Sequence, residues 1–221
     1  MPQRWRVHEP LRPHFITCTV VHLIPVFRRD EYFRVLTNSL IYGIQHRGLR
    51  IHAFVIMPDH FHLICSQIDG DISGVIRDIK RFTSRQLYEL LVRDGAYAPW
   101  LTAMRNAARG SAEMKLWDDE FHPEQIHSQP FFQQKCDYIH ANPIRAGYVE
   151  APSHWKHSSA CIHYEGRDAV IPIEPIEWYV STHGSAIELR DTCAWQRICQ
   201  AIRRERGAGC AESGLGPIWF S

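Results

Sequence analysis

The chain has 221 residues, enough for one domain of ordinary size with an appendage, and its 45% hydrophobic against 22% charged residues is the balance of a globular protein with a packed core. The formal net charge is only +1, so there is no general positive excess to hold an acidic polymer, and any contact with nucleic acid has to come from local patches. No apolar run approaches the roughly 20 residues of a membrane span, and the opening MPQRWRVHEP lacks the apolar core of a secretory signal, so the expectation is a cytoplasmic protein with no membrane partner.

Seven cysteines (Cys18, Cys65, Cys136, Cys161, Cys193, Cys199 and Cys210) are scattered, odd in number and never spaced C-x-x-C. That argues against a disulfide framework or a structural zinc site and for reduced thiols buried as small hydrophobes. With fourteen histidines in the chain, only spacing can single any of them out.

In chain order, HFITCTVVHLIPV (His14 to Val26) is rich in β-branched and aromatic residues and predicts a strand. Asp30 is placed to cap a helix running to about Arg47, with Phe33, Leu36, Leu40 and Ile44 on one face and Gly48 just past its end. Two apolar runs, residues 50–56 and 60–66, are joined by Met57-Pro58-Asp59 and must pair as an antiparallel hairpin. Asp71 to Val92 repeats the helical pattern, with Ile72, Val75, Ile76, Ile79, Leu87, Leu90 and Leu91 inward. Its other face carries Arg77, Lys80, Arg81, Ser84 and Arg85.

Residues 95–115 predict a loop region, and Trp117 to Ile126 a fourth, edge strand. Pro130 opens a short helix, FFQQKCDYIHAN, which Pro143 is expected to end. The order βαββα plus a strand predicts an α+β fold, a ferredoxin-like split βαβ sandwich with an antiparallel sheet and one added helix. Residues 1–165 are expected to form the catalytic domain and 166–221 a C-terminal extension of unknown role, with one helix from Cys193 to about Arg204 before the Gly-rich GAGCAESGLG.

Side chains alternate along a strand, so His60 and His62 project to one side while Phe61, Leu63 and Cys65 point to the other. Two imidazoles side by side on a rigid sheet make half of a metal site, although such pairs also occur as plain surface residues. In the last helix Phe132, Cys136 and Ile139 form an apolar stripe; Tyr138 is offset from it, one turn from Gln134 and Asn142.

The segments HAFVIMPDHFHLI and, some 75 residues on, YIHANPIRAGYV resemble the single-tyrosine HUH transposases, the single-strand insertion-sequence enzymes, and among them the REP-associated tyrosine transposases. HUH denotes His-hydrophobic-His, here His60-Phe61-His62. KRFTSRQL, LWDDEFHPEQI and HWKHSSACIHY extend the resemblance, which spans roughly residues 12 to 164. It implies a ferredoxin-like core with the histidines on the sheet and Tyr138, on the final helix, as nucleophile. It implies Mg²⁺ or Mn²⁺ held by His60, His62 and Asn142, the last standing where other members have glutamine.

The substrate so implied is single-stranded DNA beside hairpin or palindromic elements, cleaved and rejoined through a 5′-phosphotyrosine by a monomer or a homodimer. A free phenol keeps its proton until about pH 10, so a cation that polarises the phosphate suits this chemistry. No Gly-rich phosphate loop is present, in keeping with a reaction that needs no nucleotide.

Arg77, Lys80, Arg81, Arg85 and Arg145 are the candidate DNA contacts, and the tail run RRERGAG is either a DNA-contacting arm or a frayed terminus. Two other classes stand beside this one. A metal-dependent hydrolase would complete its site with His122, Glu124 or His127, and a non-catalytic DNA-binding protein of the same fold would keep the residues without turnover.

Overall fold

The computed structural model of the chain describes residues 11–176 apart from 96, 111 and 120. The expected helix at Cys193–Arg204 and the tail run RRERGAG lie outside the described residues. The elements are β1 (His14–Thr19), α1 (Asp30–His46), β2 (Leu49–Ile56), β3 (His60–Gln67), α2 (Ile72–Arg93), α3 (Ala98–Asn106), β4 (Glu124–Gln125), α4 (Gln129–Arg145) and α5 (Ala160–Glu165). The four strands form one sheet in the order β2-β3-β1-β4 with every pairing antiparallel, so β3 lies between the strands that α1 connects. That is the split βαβ arrangement expected from the sequence.

Strand alternation sorts the core into two layers. Ile16, Cys18, Ile51, Phe54, Ile56, Phe61, Leu63 and Cys65 meet the apolar faces of α1 and α2 on one side. Phe15, Ala53, Val55 and Ile64 meet Cys136 and Ile139 of α4 on the other. Fully burying a side chain such as Phe54 or Leu63, both wholly inaccessible, contributes on the order of 2–3 kcal/mol each. The four described cysteines, Cys18, Cys65, Cys136 and Cys161, are free and buried, and burial raises the Cys18 thiol pKa to about 12.

Several boundaries differ from the sequence expectation, each for a local reason. Strand β1 stops at Thr19; the chain then leaves the sheet in a single 3-10 turn at Val21–Leu23, with His22 and Leu23 at positive φ of 56° and 53°. Arg29, not Asp30, occupies the N-cap of α1; Asp30 is the first helical residue and accepts a hydrogen bond from Lys156 Nζ at 2.9 Å. The predicted loop at 95–115 contains helix α3, which Pro99 opens and which seats Met104, fully buried, in the core. The expected edge strand shrinks to two residues, because Pro123 interrupts the ladder and Trp117, bridged to Val20, turns its indole inward to donate from Nε1 to Thr83 Oγ1 at 3.0 Å.

Proline also fails to end α4. Pro143 is buried within the helix, which runs on to Arg145, and the lost i to i−4 donor is accepted there because the ring packs. Beyond α4 the chain returns along the open edge of β2. Ile56 N–H donates to His157 O at 2.8 Å, Ser159 N–H to Phe54 O at 3.0 Å and Glu174 N–H to Ile51 O at 2.7 Å. The residues after 165 thus begin by covering that edge, with Ile171 wholly buried in the core.

Candidate active site around His62 and Tyr138

His60 and His62 lie on the face of β3 that α4 covers, with ring centroids 4.8 Å apart. The sheet register sets their surroundings: Thr19 is opposite His60, while His62 sits between Thr17 on β1 and Val55 on β2. Thr17 Oγ1 is 2.8 Å from His62 Nδ1, and the Asp59 carboxylate accepts from His60 Nδ1 at 2.6 Å. Each histidine therefore has its Nδ1 held by a neighbour. His62 Nε2 is buried with no hydrogen-bond partner.

Burial, followed by the nearby charges of His60 and Lys135, lowers the His62 pKa to about 3. The ring is neutral at ordinary pH. A neutral imidazole with Nδ1 anchored and Nε2 bare is the form in which histidine ligates a metal.

The tyrosine helix brings Tyr138 to the same place. Its ring centroid is 5.2 Å from that of His62 and 5.8 Å from that of Phe15, edge-on to both, while 40% of the residue stays accessible. The Arg145 guanidinium, two turns along α4, lies 5.5 Å from the Tyr138 ring centroid. Asn142 donates from Nδ2 to the Tyr138 carbonyl at 2.8 Å, so it stays in helical register one turn beyond the tyrosine despite the following proline.

Three of the residues assembled here were not among the candidates read from the sequence. Thr17 could have been found only through its strand register with His62. Asp59 stands in the hairpin turn, next to the first histidine. Lys135, three residues before Tyr138 on α4, lies 4.6 Å from the Phe15 ring centroid and pairs with Glu124 at 2.5 Å; its helical spacing from Tyr138 was the available signal.

The basic residues of α2 are elsewhere. Helix α2 packs on the opposite face of the sheet from His60, His62 and Tyr138, so Arg77, Lys80, Arg81 and Arg85 do not line the tyrosine site. Arg77, Arg81 and Arg85 are exposed, Arg85 pairing with Glu89 at 3.0 Å. Lys80 is tied to the fold, donating to the Asp118 carbonyl at 2.5 Å beside a groove that Arg81, Ser84 and Trp117 also line. The residues a hydrolase would need do not gather either: Glu124 pairs with Lys135, His127 stacks on Phe131 with centroids 4.6 Å apart, and among the described residues no three His, Cys, Asp or Glu side chains cluster as a metal site.

A four-stranded antiparallel sheet carrying His-hydrophobic-His, faced by a helix carrying one tyrosine, is the architecture of the HUH class. No model of a known protein family matches the chain. A REP-associated tyrosine transposase of Escherichia coli (strain K12) is 24% identical over 166 residues, 75% of this chain and 80% of that protein. A protein of Haemophilus influenzae (strain ATCC 51907 / DSM 11121 / KW20 / Rd) bearing the same family name is 29% identical over 151 residues, 67% of this chain and 77% of that protein. A solved structure of a REP-associated tyrosine transposase bound to a REP hairpin shares the fold, with a TM-score of 0.56 and 19% identity over 85% of this chain and 100% of that one. The chain is thus similar in sequence to REP-associated tyrosine transposases and shares the fold of one of them.

Proposed function

We propose that this protein is a metal-dependent transposase that cleaves and rejoins single-stranded DNA beside hairpins, with Tyr138 as nucleophile. The observation that carries the proposal is the edge-on contact of Tyr138 with His62, 5.2 Å between ring centroids, at the point where His62 Nε2 is buried and bare. The solved structure of similar fold, a REP-associated tyrosine transposase bound to a REP hairpin, supports DNA as the partner. The half-exposed tyrosine, open on its outer side, supports a substrate that reaches it from solvent.

His60 and His62 would hold Mg²⁺ or Mn²⁺ through their Nε2 atoms, with the Asn142 amide oxygen as a further ligand after its side chain turns from the Tyr138 carbonyl. When bound, the ion polarises the scissile phosphate, worth several kcal/mol of barrier. The protein's own groups do the rest. Thr17 and Asp59 fix the two imidazoles, Phe15 and His62 pin the edge of the Tyr138 ring, and Arg145 sets a positive charge over its face. Tyr138 Oη attacks phosphorus and forms the O–P bond as the bond to the 3′ oxygen breaks; the phenol gives up its proton and the departing oxygen takes one up as a 3′-hydroxyl. Because the phosphodiester energy persists in the 5′-phosphotyrosine, another 3′-hydroxyl can reverse the step and join new ends.

The test compares one end-labelled oligonucleotide carrying a hairpin and a single-stranded flank with the same flank annealed to its complement. With Mn²⁺ the single-stranded form should yield a labelled protein adduct that survives denaturation, and the annealed form little or none. Cutting without any adduct would identify a hydrolase, and binding without cutting a non-catalytic DNA-binding protein.

A further inference from the structure

His140 is the one polar residue of the YIHANP segment that the proposed chemistry leaves unused, and it is almost wholly buried. Its Nε2 is 2.8 Å from Ser159 Oγ and its Nδ1 3.3 Å from Tyr164 Oη. Ser159 Oγ in turn accepts from Phe54 N–H at 3.0 Å, and Ser159 N–H donates to Phe54 O. In either ring tautomer both nitrogens of His140 are engaged, so the network is closed. Two stretches that carry the family resemblance in the sequence, YIHANP and HWKHSSACIHY, are joined by these bonds.

The geometry of the connection matters for Tyr138. Residues two apart on a helix point about 200° from each other, so α4 sends Tyr138 toward β1 and β3 and His140 toward the β2 edge. Phe54, where the network ends, is next to Val55, the register partner of His62. A chain of short hydrogen bonds therefore runs from the helix carrying the tyrosine to the strand beside the histidine. Apolar packing alone permits a helix to roll on a sheet, whereas directed bonds between fixed points do not.

We propose that His140 is a positioning residue: through Ser159 and Tyr164 it fixes the rotation of α4 on the sheet and so holds Tyr138 beside His62. The proposal rests on the function proposed above for Tyr138, and its test separates the two. In the full chain, His140→Leu removes the bonds and His140→Gln keeps an amide able to reach Ser159. At saturating single-stranded DNA, the Leu variant should melt as a folded protein, bind Mn²⁺ as the wild type does, and form the adduct about 100-fold more slowly, with most of the rate restored in the Gln variant. A folded Leu variant with the wild-type rate overturns the proposal. If the Leu variant does not fold, Ser159→Ala, which removes the other end of the same bond, takes its place with the same expectations.

A second readout does not depend on cleavage. With 3-fluorotyrosine at position 138, the ¹⁹F resonance should move toward its solvent-exposed position or split in the Leu variant and return in the Gln variant. Should the wild type form no adduct, the proposed function fails, while this shift still supports His140 and an unchanged resonance overturns it.

Discussion

Thr17 Oγ1 stands 2.8 Å from His62 Nδ1, across the β1–β3 ladder, and leaves the other ring nitrogen of His62 buried and bare. The hydroxyl thereby chooses which nitrogen faces the site. Thr17→Val keeps the shape and removes the hydrogen bond, so Mn²⁺ affinity measured by calorimetry should fall about 10- to 100-fold, with adduct formation regained at higher Mn²⁺. An unchanged affinity would mean that Thr17 does not orient the ligand.

The buried histidines make stability depend on pH. Burial, then the charge of Lys156 opposed by Asp30, lowers His157 to about 4, and its ring lies stacked on Phe33 with centroids 3.6 Å apart. Burial likewise lowers His52, His140 and His163. These folded-state values lie below the unfolded value near 6.5, so below that pH the unfolded chain binds more protons than the folded one. The stability they contribute is complete above pH ~6.5 and is lost as pH falls toward 4, by on the order of 1–3 kcal/mol for His157 alone. Urea midpoints at pH 7.5 and 5.0 should show the drop, and His157→Phe should reduce it; a midpoint independent of pH would contradict this.

Because α2 is across the sheet from the tyrosine, its cations should affect binding and not chemistry. Arg81→Ala with Arg85→Ala should weaken binding of hairpin DNA and reduce the slope of log affinity against log salt by about 1–2, with the rate of adduct formation at saturating DNA unchanged. A slower rate at saturation would place these residues in the reaction instead.

What the sequence disclosed and what it withheld divide on locality. Period-two alternation in HFHLIC put His60 and His62 on one face, and the 3.6-residue spacing around Cys136 and Ile139 separated Tyr138 from the core stripe; both rules act within a single element, and both hold in the fold. Thr17 and Ser159 join the site only through pairing between segments 45 and 105 residues apart, to His62 and to Phe54, which no local pattern encodes. Pro143 misled because a helix breaker was read without the packing that buries it, and α3 was missed because its apolar residues are few and sit among alanines. The α2 cations illustrate the same limit: one helix face was legible, but not which side of the sheet it would occupy.

The central claim is that the Tyr138 hydroxyl attacks DNA, and Tyr138→Phe tests it most directly. The variant loses one oxygen; its ring can still pack edge-on to His62 and Phe15 and beneath Arg145, so folding should change by less than about 1 kcal/mol. Incubated with labelled single-stranded DNA and Mn²⁺, it should bind the strand as the wild type does and form no denaturation-resistant adduct at any metal concentration. A Phe variant that cuts at the wild-type rate would contradict the account, because the nucleophile would then be water or another tyrosine, such as the exposed Tyr148.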